Sequence, residues 1–567
     1  MEFNKPLLGH VPPSPKSLKP SLSHGNRIGY LAFGLLVALV VFVGCLESIH
    51  PEPVSDVKDP FKWQSCPGKD KDYKCGRLKV PLDYTKNHSK TIDIAVAVYK
   101  AQVQPSLGTI TFNFGGPGGP GKASVLARGP SLSVLTGGRY DILGFDPRGI
   151  GESVPITCFE SATHHAQFDV MASMISPPTV NGPTSQVTSF AALQEAWAKS
   201  CAKWAEDILP HMSTTQVSRD LDEIRKALGD SVLNYYGFSY GTMLGTVYTQ
   251  MFPNNVGRMI IDGVMNPLTY MGGPIFKDTP GDFVDTEELF EAFGKECDDA
   301  GPSRCALAVP GSKTTTRIRD FAKQLEHKPL VVVDGATVPF VIHPLDVLQK
   351  IYGALYRPAG WPAVAKTIAK AIAGDGSDFN AEKLDACPIK DESGDNGMPG
   401  VTCLDTFGNQ ADFAEWEKAA TRIQKVSPTF GVGGLWSYLV CKFWQVQPSE
   451  RFTGPWNHKL KNQILIIGNT LDIITPISNA RTVERIMEGG GVLLHHDGYG
   501  HCSTAHKSTC TLNYIKDYFN EGTLPEKGTV CKVDPDVVIF PEPSLVATKE
   551  NDWLNDIHDV VVAVNLR

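Results

Sequence analysis

Apolar residues fall in two rhythms along this chain. Dense short runs rich in β-branched and aromatic residues predict strands at Ile92-Asp93-Ile94-Ala95-Val96-Ala97-Val98-Tyr99, Thr109-Ile110-Thr111-Phe112-Asn113-Phe114 and Tyr140-Asp141-Ile142-Leu143-Gly144-Phe145-Asp146. Helical spacing follows: Val217, Leu221, Ile224 and Leu228 predict a helix that Gly229 stops, and Leu244, Val247, Tyr248 and Met251 predict another that ends before Pro253. Strands return at Val232-Leu233-Asn234-Tyr235-Tyr236 and Arg258-Met259-Ile260-Ile261-Asp262. Strands separated by helices imply an α/β fold with a mostly parallel, doubly wound sheet.

The rhythm breaks over residues 265–460, where Leu289, Phe290 and Phe293, then Val347, Leu348, Ile351 and Tyr352, mark helices. It resumes at Gln463-Ile464-Leu465-Ile466-Ile467-Gly468 and Gly491-Val492-Leu493-Leu494-His495. We therefore divide the folded chain into a first core part (61–264), a helical cap (265–460) inserted before the last two core strands, and a second core part (461–531). Residues 532–567 show no clear pattern and read as a C-terminal tail. A separate tandem domain fits the middle region less well, because sheet signals continue beyond it.

The amino-terminal region has another character. Residues 1–27, with Pro6, Pro12, Pro13, Pro15 and Pro20, read as a disordered cytosolic tail. Residues 28–46 carry no charge and, at about 1.5 Å per residue, approach the thickness of a bilayer core. Lys5, Lys16, Lys19 and Arg27 precede this run, and Glu47, Glu52, Asp56 and Asp59 follow it. That asymmetry favours a single-pass signal anchor with an exported catalytic body; a cleaved signal peptide is the alternative. The cysteines agree with export. Of thirteen, Cys45 lies in the apolar run, and several others are close in sequence: Cys66 and Cys75, Cys297 and Cys305, Cys387 and Cys403, Cys502 and Cys510. They suggest disulfides, with connectivity left open. Zinc is the weaker reading, because no CxxC pair occurs. The sequon Asn87-His88-Ser89 is a candidate glycosylation site. A net charge of -8 without a basic run argues against a nucleic-acid partner.

The chemistry is carried by Gly237-Phe238-Ser239-Tyr240-Gly241, a G-x-S-x-G motif between a predicted strand and a predicted helix. Such a turn lifts the serine hydroxyl above the sheet, and the glycines make room for it. A serine needs a base and an orienting acid, in the order Ser, Asp or Glu, His for this arrangement. Asp472, past the end of a strand in Gly468-Asn469-Thr470-Leu471-Asp472, is the candidate acid, with Asp497 as its rival. His501, in Tyr499-Gly500-His501, is the candidate base; His495, His496 and His506 are its rivals. A metal cluster of His495, His496 and His501 lacks a carboxylate pattern to complete it. The run Gly115-Gly116-Pro117-Gly118-Gly119 can supply backbone donors, with Gly116 and Tyr240 as the candidate oxyanion hole. That run has neither a Walker ending nor GxGxxG spacing into a helix, so a nucleotide site is rejected.

Together with Gly144-Phe145-Asp146-Pro147-Arg148-Gly149-Ile150-Gly151-Glu152-Ser153, Thr475-Pro476 and Gly500-His501-Cys502, these motifs occur in an order that resembles the tripeptidyl-aminopeptidase branch of the prolyl-iminopeptidase family of α/β-hydrolases. The resemblance spans about Phe61 to Cys531. It implies an α/β-hydrolase fold and a serine peptidase that releases amino acids or short peptides from free N-termini. It also implies a cap that narrows access and acidic groups that hold the substrate ammonium. Glu152, Glu287 and Glu288 are the candidates for that substrate-binding role. Phe114 stands where prolyl iminopeptidases often carry a histidine, which weakens proline specificity. No metal or organic cofactor is implied. An ester or amide hydrolase uses the same machinery, and a catalytically silent, anchored binding protein is the remote third reading.

Overall fold

A computed structural model describes residues 59–175, 177–178, 184–336, 338–380, 394–542 and 552–565. The expected tail and anchor (1–46), Cys45 and Cys387 lie outside the described residues. The strands, in chain order, are β1 (Tyr73–Pro81), β2 (Thr91–Tyr99), β3 (Thr109–Asn113), β4 (Asp141–Phe145), β5 (Leu233–Phe238), β6 (Val256–Asp262), β7 (Leu330–Val332), β8 (Phe340–Ile342), β9 (Ile464–Leu471), β10 (Gly491–Tyr499) and β11 (Val530–Lys532). Among the described residues they form a nine-stranded sheet in the order β1-β2-β4-β3-β5-β6-β9-β10-β11 and a separate β7-β8 pair. Pairing is antiparallel between β1 and β2 and between β2 and β4, and parallel from β4 through β11.

The parallel strands follow the expected runs because they are buried on both faces. Their alternating side chains feed two cores. Phe112, Tyr236, Ile260 and Leu465 lie in one, with Phe519. Tyr235, Met259, Ile261 and Ile466 lie in the other, with Leu244 and Leu221. Because these strands run the same way, the segments leaving β3, β5, β6, β9 and β10 all emerge at one edge, where open α/β sheets gather their chemistry. The predicted helices form as Thr214–Leu228, closed by Gly229 at φ 77°, and Tyr240–Met251.

The expected arrangement needs four corrections. β1 escaped notice because its buried positions alternate with Lys74, Arg77 and Lys79 and include Gly76. A short third strand, β11, follows the insertion in addition to β9 and β10. The helical layer draws on two excursions from the sheet. Besides the helices between β6 and β9, the helix Thr184–Trp204, assigned to the core part by its position, packs Phe190, Ala191 and Ala198 against Val401, Trp416 and Trp436. Its inward face, Phe190, Ala191, Gln194, Ala198 and Cys201, is small and partly polar, a weak apolar signal. Finally, the C-terminal segment contains a helix, Asp552–Asn565, whose Leu554, Ile557 and Val561 are buried.

Cys66–Cys75 and Cys297–Cys305 are bonded. Proximity in sequence misleads for the rest: Cys403 pairs with Cys441, Cys510 with Cys531, and Cys158 with Cys201, while Cys502 is a buried free thiol. Five disulfides among the described residues point to an oxidising compartment. Asn87 is exposed in the turn between β1 and β2. Among the described residues no helix is long and apolar enough to cross a membrane.

The turn after β4 is fastened by a fully buried ion pair. Arg148 donates from Nε to Asp220 Oδ2 (2.7 Å) and from its terminal nitrogens to Asp220 Oδ1 (2.6 Å) and the carbonyls of Pro81 and Leu82 (3.0 and 2.7 Å). Removing one partner leaves an uncompensated buried charge. Asp220→Ala is expected to destabilise the fold by about 3–5 kcal/mol, read as a lower urea midpoint against wild type.

Candidate active site

The serine turn is built as its glycines require. Ser239, between β5 and the helix Tyr240–Met251, has φ 54° and ψ -124°, a backbone conformation that non-glycine residues rarely adopt. A Cβ at Gly237 would lie 2.3 Å from the carbonyl oxygen of Gly241, and one at Gly241 would lie 2.6 Å from that of Asn113. Only glycine lets the turn close this tightly against the end of β3. Pairing of Asn113 with Gly237 sets the loop Gly115-Gly116 beside the serine turn, with Gly115 and Gly116 at φ 94° and 104°. The first N–H groups of the helix after Ser239 open on the same side, and Tyr240 is its first residue.

Asp472 and His501 are brought together from the ends of β9 and β10. His501 Nδ1 lies 2.9 and 3.1 Å from the two oxygens of Asp472, and both residues are fully buried. Asp472 also accepts from the N–H of Ile474 (3.1 Å), Thr475 (3.0 Å) and Cys502 (3.1 Å) and from the Thr475 hydroxyl (2.8 Å). Burial alone would raise this carboxyl, but His501 and the N–H groups of Thr475 and Ile474 outweigh it and hold the group below the usual carboxylate range. An ionised carboxylate only accepts, so Nδ1 carries the ring proton and Nε2 holds the lone pair. Nε2 is buried and has no hydrogen-bond partner, so the Ser239 hydroxyl is not bonded to it in this state. The two are nonetheless close neighbours: the carbonyl oxygen of Asp262 accepts from Ser239 N (3.0 Å) and from the thiol of Cys502 (3.3 Å), the residue after His501.

Two family models match this chain. The family described as "alpha/beta hydrolase fold" matches residues 112–290, which span the glycine loop and Ser239, and the family described as "TAP-like protein" matches residues 427–531, which contain Asp472 and His501. The chain is an α/β hydrolase. Its relatives include a tripeptidyl aminopeptidase of Streptomyces coelicolor, 29% identical over 83% of this chain and 85% of the relative. The serine protease Hip1 of Mycobacterium tuberculosis is 25% identical over 88% of this chain and 96% of the relative. A carboxylesterase B of the same species is 27% identical over 90% and 98%.

In this hydrolase every residue from 500 to 503 is pinned. Asn469 Nδ2 donates to the carbonyls of Gly500 (2.8 Å) and Cys502 (2.7 Å). The N–H and hydroxyl of Ser503 donate to Asp262 (2.8 and 2.6 Å), whose carboxyl burial raises to about 6 despite those bonds. The rivals lie elsewhere. Asp497 and His495 both meet Thr470, His496 meets Thr511, and His506 accepts from Tyr499 N.

Two of the glutamates singled out for an ammonium already have cationic partners. Glu152 is shared between Arg77 (2.7 Å) and Lys122 (2.5 Å). Glu287 binds Arg319 (3.0 Å), Ser427 (2.9 Å) and both the N–H and hydroxyl of Thr429 (2.7 and 2.9 Å). Glu288 is exposed. Sequence reasoning missed three aspartates, two of which, Asp282 and Asp285, lie near Asp472. Burial raises Asp278 to about 7; it raises Asp282 as well, where the charges of Asp278 and Asp472 add to it. Asp285, 3.5 Å from the N–H of Asp472, is raised to about 7 by burial and by the charges of Asp472 and Glu288. Tyr356 was missed too. Its ring meets the His501 imidazole edge-on at 5.3 Å, and its carbonyl accepts His501 N (2.9 Å). The signal for the aspartates was their one-turn spacing beside an apolar helix face.

The position of the His501 loop can be probed through Gly263. It has φ 73°, and an added Cβ would lie 2.5 Å from the thiol of Cys502 and 3.3 Å from His501 Cε1. Gly263→Ala is expected to cost about 1–3 kcal/mol of stability and to slow labelling of Ser239 by a fluorophosphonate, followed by intact-mass spectrometry.

Proposed function

We propose that this hydrolase is a serine exopeptidase that releases short peptides or amino acids from free N-termini, with Ser239 as nucleophile, His501 as base and Asp472 as orienting acid. The observation that carries the reading is the buried imidazole held through Nδ1 by an ionised carboxylate while Nε2 stands unbonded beside the serine turn. A buried nitrogen without a partner is costly, and a lone pair ready for a hydroxyl proton explains it. Catalytic bonds of this kind are often loose before substrate arrives. Ser239 attacks the scissile carbonyl as Nε2 takes its proton. The imidazolium is stabilised by Asp472, and then returns the proton to the leaving amine. The N–H groups of Gly116 and Tyr240 face the developing oxyanion, and water releases the acyl group by the same steps.

Names and chemistry both support the peptide reading. Relatives are called tripeptidyl aminopeptidase and serine protease. Asp278, Asp282 and Asp285 are carboxyls of raised pKa, two of them near Asp472, and a peptide's terminal ammonium would favour their ionised form. The relative named carboxylesterase B supports ester hydrolysis as the second reading. The disulfides support an oxidising compartment, and the charge-flanked apolar run at 28–46 suits a signal anchor.

Wild type should be labelled by a fluorophosphonate, and Ser239→Ala should not. Asp472→Asn should lower kcat about 10⁴-fold with little change in KM. Tripeptidyl arylamides should be cleaved and their N-acetylated forms left intact; equal cleavage of both would exclude the exopeptidase.

The pH dependence follows from the aspartates. They bind an ammonium only when ionised, so kcat/KM for peptides should rise with pH through about 7. It should fall again above roughly 8, where the substrate amine loses its proton. Asp282→Asn should raise KM for free-amine peptides at least about tenfold and leave short acyl esters unaffected. Equal losses on both substrates would remove Asp282 from the ammonium site.

A further inference from the structure

We infer that the C-terminal helix Asp552–Asn565 is a latch on the catalytic loop, and that His558 is the positioning residue through which it acts. The proposal rests on His501 being the catalytic base. His558 is fully buried. Its Nε2 lies 3.1 Å from the carbonyl oxygen of Tyr356, and its Nδ1 lies 3.1 Å from the hydroxyl of Thr504. A carbonyl can only accept, so Nε2 carries the proton. The neutral ring then has a lone pair on Nδ1, to which Thr504 donates. Burial and the nearby charge of Arg357 keep the ring neutral, with a pKa of about 3.

The Tyr356 carbonyl that receives His558 also receives the N–H of His501 at 2.9 Å. Two histidines therefore share one oxygen, and Thr504 lies three residues beyond His501. One imidazole thus holds the loop 501–504 at both ends. It also joins that loop to the helical insertion, since Tyr356 ends the helix Pro344–Leu355. The latch is itself fastened. Ile557 and Val561 are buried in the core below the sheet, the Ser131 hydroxyl donates to Asp556 (2.9 Å), and Arg357 pairs with Asp559. Ser131 belongs to the helix Gly121–Val134 that leaves the glycine loop, so the C-terminal helix touches elements on both sides of Ser239.

A small displacement of a base is expensive: about 1 Å can cost roughly 100-fold in rate. In the full-length enzyme, His558→Phe keeps bulk and removes both bonds, His558→Gln keeps a donor that can reach Tyr356, and Thr504→Val removes the hydroxyl alone. For each, the rate of Ser239 labelling by a fluorophosphonate is measured, with kcat and KM on a tripeptidyl arylamide across pH.

His558→Phe and Thr504→Val are expected to lower kcat about 10- to 100-fold, to leave KM within about twofold, and to move the acid limb of the kcat profile. His558→Gln is expected to recover most of the rate. A folded His558→Phe enzyme with kcat within about twofold of wild type overturns the latch. So does a loss shared equally by the Gln variant with an unmoved pH limb, which marks structural support only. If His558→Phe does not fold, Thr504→Val decides by the same criteria. Wild type that the probe fails to label overturns the reading of His501 itself, and the latch with it; labelled wild type with unaffected variants overturns the latch alone.

Discussion

The ionised carboxylate of Asp472, buried out of reach of water, is the constraint around which the site is arranged. Such a charge survives in the interior only when its oxygens are fully bonded. Here the bonds come from the turn that follows β9, through Ile474 and Thr475, and from the loop that follows β10, through His501 and Cys502. Both segments must leave the sheet at matching heights. The β9–β10 register does this: a shift between His496 and Tyr499 brings Tyr499 opposite Leu471, directly before the two segments begin. Strand pairing is thus read out as hydrogen-bond geometry at the acid–base pair.

A second buried carboxylate, Asp262 at the end of β6, divides the labour. Its side chain takes Ser503 and the Tyr236 hydroxyl (3.0 Å), while its carbonyl takes Ser239 N and the Cys502 thiol. One residue therefore ties the Ser239 turn to the His501 loop. The two acids have opposite shifts, down for Asp472 and up to about 6 for Asp262. The difference follows from their partners: Asp472 has an imidazole, Asp262 mainly neutral donors.

Local pattern made most of the sheet legible, and it singled out Ser239, Asp472 and His501, of which the last two meet in a hydrogen bond. Buried parallel strands are continuous apolar runs, and Ser239, Asp472 and His501 each follow such a run closely, flanked by glycines or turn residues. What stayed hidden depends on distance. Cys403 meets Cys441 and Cys510 meets Cys531 only after the chain has folded, so the sequence left their pairing open. Asp278 and Asp282 resemble an ordinary solvated helix face until the tyrosine-lined environment of Tyr352 and Tyr438 closes over them. The edge strand β1 was readable in principle, since its burial alternates, but its lysines masked the period.

Cys502 raises a different matter, that of covalent fidelity. Thiolates attack disulfides, and the described residues hold five disulfides together with the free thiol of Cys502. Burial and the neighbouring Asp262 push the Cys502 thiol well above its ordinary pKa, so it is kept in its unreactive form. The packing that holds the His501 loop therefore also keeps cross-links from being reshuffled. During oxidative maturation, before β10 and its loop have docked, that protection is missing, and correct pairing then depends on the order in which the sheet assembles.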